Sequence, residues 1–359
     1  MRSNFQALFS LSVIACISCI IFHSCGSHNG GNHSKTIGPE EPERAAYFWK
    51  TRFELNGYER ELLKEHDISK LYVRMFDVDY DTSPAAGLEK VIPIATISFV
   101  SRKPDEVEII PTVFITPRAI ISAKNEKGGL ETLASKIVTR IGNMMEYNEL
   151  GAFNELQLDC DWNESTREDF YSLCGLVRDI LRKDGRKLSA TIRLHQLRQT
   201  VPPVDRGVLM IYNTGALRSA GENNSILSLT AVRTYLNLKP VDYDLPLDVA
   251  YPTFGWGVWF RGKEYKGILH ETDYSESDLY RPETDGTFSV IKEHVLERHE
   301  LMPGDRIRLE TSVPETILEV KELVRKSFPS GIHTNILYHL DSTNLAKYSN
   351  DEIEDILDY

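Results

Sequence analysis

The sequence predicts an α/β fold, a (β/α)8 barrel (TIM barrel) with an insertion after its seventh strand. Residues 154–194 run strand, acidic turn, helix, strand, which is the βαβ unit from which such barrels are built. Other short apolar runs alternate mostly with segments of helical periodicity, as expected for alternating strands and helices. Residues 256–312 are too long for an ordinary connection, so we assign them to an insertion.

Caps and hydrophobic periodicity place the individual elements. Asn56 precedes a helical stretch and can cap it through its side chain. After the acidic turn, Phe170, Leu173 and Val177 recur at helical spacing, and that helix stops before Gly185. The predicted strands are residues 46–53, 71–76, 109–115, 154–161, 188–194, 207–212, 247–252 and 333–339. The predicted helices are residues 57–66, 130–145, 167–182, 226–236, 288–300, 315–326 and 351–357, with a further β-like stretch at 92–100.

The N-terminal residues predict export and lipid attachment. Arg2 and the apolar run 8–22 have the form of a signal peptide, and the run is short for a membrane span. Cys25 follows a small residue and precedes Gly26, as in a loose bacterial lipobox. We therefore expect cleavage of residues 1–24 and lipidation of Cys25. Simple secretion and an uncleaved anchor are the alternatives.

The next stretch predicts a spacer between lipid and barrel. Residues 25–44 are rich in Gly, Ser, Asn and His and poor in apolar residues, which favours a flexible tether. Residues 45–359 would form the barrel. The lipid would hold this barrel at a membrane of the bacterial cell envelope, facing the periplasm or the surface.

Charge and ligand spacing argue against several function classes. The formal net charge of -12 is opposite to the basic footprint of a nucleic-acid-binding surface. Asp77, Asp79 and Asp81 alternate as calcium ligands do, but the glycine and final glutamate of a calcium loop are missing, so a solvated loop or substrate contact is favoured. We predict no metal and no cofactor. Cys160 and Cys174 are expected to be two small buried hydrophobes rather than a disulfide.

Two carboxylates at the end of strand four are the first candidate site residues. Asp159 and Asp161 alternate with Leu158 and Cys160, so both point to one face of the strand and into the barrel. Ligands of such barrels lie at the carboxyl ends of the strands. The alternative is a structural role, with both carboxylates bonded to backbone amides and arginines.

Aromatic and cationic residues near the predicted mouth are the second set. Trp162, Trp256 and Trp259 could stack on the apolar faces of sugar rings, with burial in a core as the alternative. Tyr212 ends strand six. Arg193 and His195 end strand five and could pair with the carboxylates or act as acid and base, although such a histidine is often only hydrogen-bonded.

The motifs on strands four to seven together resemble the chitinase-like barrels of glycoside hydrolase family 18. The run Leu156 to Asn163 resembles that family's Asp-x-x-Asp-x-Asp-x-Glu. The segment 210–213, Met-Ile-Tyr-Asn, is similar to its Met-x-Tyr-Asp, and the segment 251–255, Tyr-Pro-Thr-Phe-Gly, to its Pro-x-Tyr-Gly. The combination of these motifs is similar, more closely still, to that of uncharacterised bacterial barrels related to the family. The resemblance spans roughly residues 155–255.

The resemblance also indicates what this chain lacks. In the family, a glutamate protonates the glycosidic oxygen, and here that position is Asn163, whose amide cannot act as an acid. Glu164 is one residue away and would reach the site only if the strand ends before it. The family's helper residues correspond to Asp161 and Tyr212, with Asn213 in place of an aspartate.

These expectations converge on a carbohydrate-binding or carbohydrate-processing lipoprotein without the usual acid. The resemblance implies catalytic positions at Asp159, Asp161, Glu164 and Tyr212. The expected substrate-binding residues are Trp162, Asn163, Arg193, Asn213, Tyr251, Trp256 and Trp259. One alternative is an active glycosidase whose proton comes from Asp161 or Glu164. The other is a non-enzymatic assembly lipoprotein whose barrel mouth binds a protein.

Overall fold

The apolar runs form a closed parallel barrel in the computed structural model, which describes residues 43–84, 88–236, 240–329 and 331–358. The barrel strands are β1 (Glu43–Phe48), β2 (Ile68–Tyr80), β3 (Glu108–Ile115), β4 (Glu155–Asp159), β5 (Lys187–Arg193), β6 (Arg206–Met210), β7 (Leu247–Pro252) and β8 (Thr334–Tyr338). Each strand pairs in parallel with the next, and β1 pairs with both β2 and β8, which closes the barrel. The predicted fold class is confirmed.

Helices surround the barrel on most sides. They are α1 (Gly57–Glu65), α2 (Pro117–Lys124), α3 (Gly129–Tyr147), α4 (Arg167–Arg182), α5 (Leu229–Tyr235), α6 (Pro314–Ser327), α7 (Ser342–Leu345) and α8 (Asn350–Leu357). Asn56 caps α1 as predicted, accepting from the backbone N–H of Glu59 at 2.9 Å. The short helices α2 and α7 were not predicted, since neither is long enough to show a clear period.

Two connections of the barrel carry no α-helix among the described residues. Between β5 and β6 the chain forms a 3-10 turn, Leu194–Arg198. Between β2 and β3 it forms the edge strand, Val91–Ile94, which pairs antiparallel with the C-terminal half of β2. The pair Ser98–Phe99 then bonds to Arg52–Phe53. The predicted β-like stretch at 92–100 therefore exists, and it takes the place that a crossover helix would fill.

The insertion after β7 is a small β-structure, and the helix predicted over 288–300 is wrong. Five antiparallel strands form its sheet: Gly255–Arg261, Glu264–Leu269, Tyr280–Pro282, Thr287–Val290 and Arg306–Thr311. Residues 294–301 form a hairpin whose turn, Glu297 and Arg298, has positive φ. A helix cannot contain such a turn, and cross-strand pairing outweighed the local helical pattern.

Side chains alternate between two barrel cores. Outward-facing residues of the strands pack beneath the helices, while a smaller inner cluster fills the barrel. Members of this inner cluster include Tyr47, Tyr72, Met210 and Tyr212. A third cluster around Trp259 supports the insertion. Cys160 and Cys174 are both buried, and neither forms a disulfide within the described part of the chain, as expected of small hydrophobes.

The N-terminal predictions lie outside the described residues. They comprise the signal peptide 1–24, the lipidated Cys25 and most of the tether 25–44. Within the described part of the chain, no helix is both long and apolar enough to cross a membrane.

Candidate functional site

The carboxyl ends of the barrel strands bring together acids, arginines and aromatic rings. On β2, an irregularity in register at Met75 adds a residue to the strand. Arg74 and Asp77 can then form an ion pair on one face, with Arg74 Nε donating to Asp77 Oδ1 at 2.6 Å. Arg74 also lies over the ring of Trp49, 5.6 Å from its centroid. No sequence signal identified this group beyond the alternating aspartates.

Asp159, the last residue of β4, lies at the bottom of the mouth. It is 4% exposed, and Thr191 of β5 donates to its Oδ1 at 2.6 Å. Burial raises the pKa of Asp159 to about 6; the Arg193 charge opposes this shift and the Asp161 charge adds to it. The side chain can therefore change its protonation state near neutral pH, but it is covered by its neighbours.

Asp161 and Arg193 form the polar side of the mouth. Arg193 Nε donates to Asp161 Oδ1 at 2.7 Å, and its guanidinium lies 5.4 Å from the ring centroid of Tyr212. The Asp161 side chain is 54% exposed, so the pair remains open to a ligand. These groups line a cavity of about 360 Å³ together with His195, Asn213 and Tyr235.

The aromatic side of the mouth is built around Tyr338 at the end of β8. Its ring stacks on Tyr212 with centroids 4.2 Å apart and an interplanar angle of 25°. Trp49, Tyr47 and Phe254 surround it at 5.4–5.9 Å. The sequence prediction missed Tyr338, although an aromatic residue ending the last barrel strand is a usable signal.

Trp256 is held beside this group by the insertion. Its ring lies edge-on to Phe254 at 5.1 Å, and its Nε1 donates to Glu310 Oε2 at 2.7 Å. Glu310 is buried and also accepts from Arg308 Nε at 2.7 Å and from Ser225 Oγ at 2.6 Å. The insertion thus fixes one tryptophan near the mouth through a buried ion pair.

Three predicted binding residues face elsewhere, and these placements were wrong. Trp162 is 1% exposed and packs against Phe170 and Tyr171 of α4, because the chain turns away from the barrel after Asp161. Trp259 belongs to the core of the insertion, where its Nε1 donates to Asp305 at 2.8 Å. Tyr251 alternates to the outer face of β7 and is 1% exposed.

The remaining predicted residues lie in loops at the same end of the barrel. The Asn163 side chain accepts from the backbone N–H of Ser165 at 2.9 Å and shapes the turn before α4. Glu164 is exposed in that turn. Asn213 follows β6 with a φ of 54° and is exposed. Burial lowers the pKa of His195, with the Arg193 charge acting in the same direction.

The aspartates of β2 are engaged by arginines. Asp79 accepts from Thr116 Oγ1 at 2.7 Å and from Arg118 Nε at 2.6 Å, and the Arg118 bonds hold its pKa well below the usual range. Over the described ranges, no group of three or more His, Cys, Asp or Glu side chains is placed to hold a metal ion.

Comparison with solved structures gives the same fold at low sequence identity. The spore cortex-lytic enzyme SleL of Bacillus cereus is 14% identical, with a TM-score of 0.51 over 89% of this chain and 75% of that one. A chitinase from Chromobacterium violaceum is 13% identical, with a TM-score of 0.51 over 88% and 99% of the two chains. A Group IV chitinase of Ostrinia furnacalis is 10% identical, with a TM-score of 0.50 over 88% and 98%. No protein-family profile and no curated sequence matches. The resemblance to chitinase-like barrels is confirmed as a similarity of fold.

Proposed function

We propose that the barrel mouth binds a glycan and that the chain is an exported lipoprotein of the bacterial envelope. The observation that carries the proposal is the partly exposed ring of Tyr338, which stacks on the buried Tyr212, beside the open Asp161–Arg193 ion pair. Aromatic faces suit the apolar faces of pyranose rings. A carboxylate and a guanidinium supply the acceptors and donors that sugar hydroxyls need. The mouth therefore offers a sugar both an aromatic surface and hydrogen-bonding groups.

The same mouth favours binding over ordinary hydrolysis. General acid catalysis needs a carboxyl within hydrogen-bond reach of the glycosidic oxygen. Asn163 occupies the expected position of the acid, and its side chain is engaged with Ser165. Asp161 is bonded to Arg193, and Asp159 is covered at the bottom of the mouth. Glu164 lies in the exposed turn beyond.

The choice of glycan follows from the structures with the same fold. One of them is named a spore cortex-lytic enzyme and two are named chitinases. We therefore propose an N-acetylated glycan, either a chitin oligomer or a peptidoglycan fragment. An envelope location through Cys25 would place the barrel next to peptidoglycan.

Calorimetric titration of the protein with both kinds of oligomer tests the proposal, with reducing-end products measured in the same samples. We expect saturable binding without products, and we expect Asp161→Asn and Arg193→Met each to weaken it by about tenfold or more. Asp179→Asn, an exposed substitution on α4, is the matched control and should bind normally. Products that vanish in Asp161→Asn would instead establish a glycosidase. Absence of binding to any oligomer would favour a protein interface.

A further inference from the structure

An apolar groove lies on the outside of the barrel, against the outer face of the C-terminal half of β2. It runs between the edge strand Val91–Ile94 and helix α3, where the described residues of the β2–β3 connection form no helix. Its volume is about 610 Å³, larger than the 360 Å³ of the mouth cavity. Small-molecule sites commonly measure about 300–1,000 Å³ and are mostly apolar with few polar groups. We call this feature the α3 groove.

The lining of the α3 groove is mostly apolar, with Ser135, Thr139 and Asn143 among its uncharged polar side chains. Phe76 and Val78 are outward-facing residues of β2. The edge strand and α3 supply the remaining apolar surface, and they contribute Val91, Ile92, Pro93, Leu133, Ile137 and Met144.

One cation in this lining has an unused donor. Lys136 pairs with Glu89 across the groove. Arg140 lies over the ring of Phe76 at 5.0 Å and donates from Nη2 to Thr96 at 3.0 Å. Its Nε is buried and has no hydrogen-bond partner among the residues that the structure describes. Leaving a buried donor unpaired is unfavourable, and an anionic ligand would supply the missing hydrogen bond.

We propose that the α3 groove binds a single-chain carboxylate such as a long-chain fatty acid. The apolar floor suits one alkyl chain, and the Arg140 guanidinium, whose Nε lacks a partner among the described residues, can donate to a carboxylate oxygen. The charges of the groove lining also favour one anion. Glu89 and Lys136 form an ion pair with each other, so the positive charge of Arg140 can be balanced by the ligand.

The test titrates the protein with dodecanoate below its micelle concentration and with dodecanol as the uncharged analogue. We expect one equivalent of dodecanoate to bind. Arg140→Met should weaken dodecanoate binding by about tenfold or more and leave dodecanol binding unchanged. Arg178→Met is the matched control, since Arg178 on α4 also has a buried Nε without a partner in the described ranges but does not line the groove.

A second variant locates the ligand. Thr139 is an exposed residue of α3 that lines the groove, so Thr139→Trp should fill the space without disturbing the core. It should abolish binding of both probes while the melting temperature stays at the wild-type value. No dodecanoate binding, equal weakening of both probes in Arg140→Met, or normal binding by Thr139→Trp would each overturn the proposal. So would a stable dimer that covers the groove and that Thr139→Trp disrupts.

Discussion

Asp159 should make the protein less stable as pH rises from about 4 to about 6. Burial raises its pKa in the folded state to about 6, against about 3.9 in an unfolded chain. The fold therefore favours the protonated carboxyl, and its stabilising effect is complete below about pH 4 and lost through about pH 6. This difference of about two units between the folded and unfolded pKa values corresponds to about 3 kcal/mol in the free energy of unfolding.

The substitution Asp159→Asn isolates this effect. The amide oxygen can still accept from Thr191, and the side chain has no charge to bury. Urea unfolding should show the variant to be more stable than the wild type by up to about 3 kcal/mol at pH 7 and nearly equal to it at pH 4. Asp179→Asn, on the exposed face of α4, should follow the wild-type curve. A variant that is less stable than the wild type at pH 7, or a stability difference that does not depend on pH, would contradict a raised pKa of Asp159 in the folded state.

Three further predictions concern the insertion, the anchor and the mouth. Glu310→Leu should lower the free energy of unfolding by about 3–5 kcal/mol, because it leaves the Arg308 guanidinium buried without its carboxylate partner. A decrease below about 1 kcal/mol in chemical unfolding would argue against this. Cys25→Ser should move the protein from the membrane fraction to the soluble fraction after export, and unchanged fractionation would contradict the lipid anchor. Arg193→Lys keeps the charge but not the planar fork, so it should restore glycan affinity only in part relative to Arg193→Met; full recovery would mean that charge alone suffices.

The barrel was predictable because its strands and longest helices repeat a strong pattern. The helix at residues 167–182 was predicted with the bounds that the structure shows, and the strand at 247–252 likewise. The strands of the insertion could not be predicted in this way, because they are short and several of them pair with segments distant in the sequence. For residues 288–300, tertiary pairing overrode local propensity.

The site was predictable only in part. The position of Asp161 and Arg193 at adjacent strand ends brought them together as expected. Trp162 and Tyr251 were misplaced because a single residue step, or a turn after a strand, sends a side chain to the opposite face. Tyr338 was missed because its partner, Tyr212, lies far away in the sequence, and only closure of the barrel joins them.

A crystal structure of the protein with the N-acetylated oligomer that binds most tightly would show whether the barrel mouth is the glycan site. We expect a sugar ring against Tyr338 or Trp256, with hydroxyl or amide groups hydrogen-bonded to Asp161 and Arg193. A glycan bound on the insertion or along α3, with the mouth empty, would contradict this expectation.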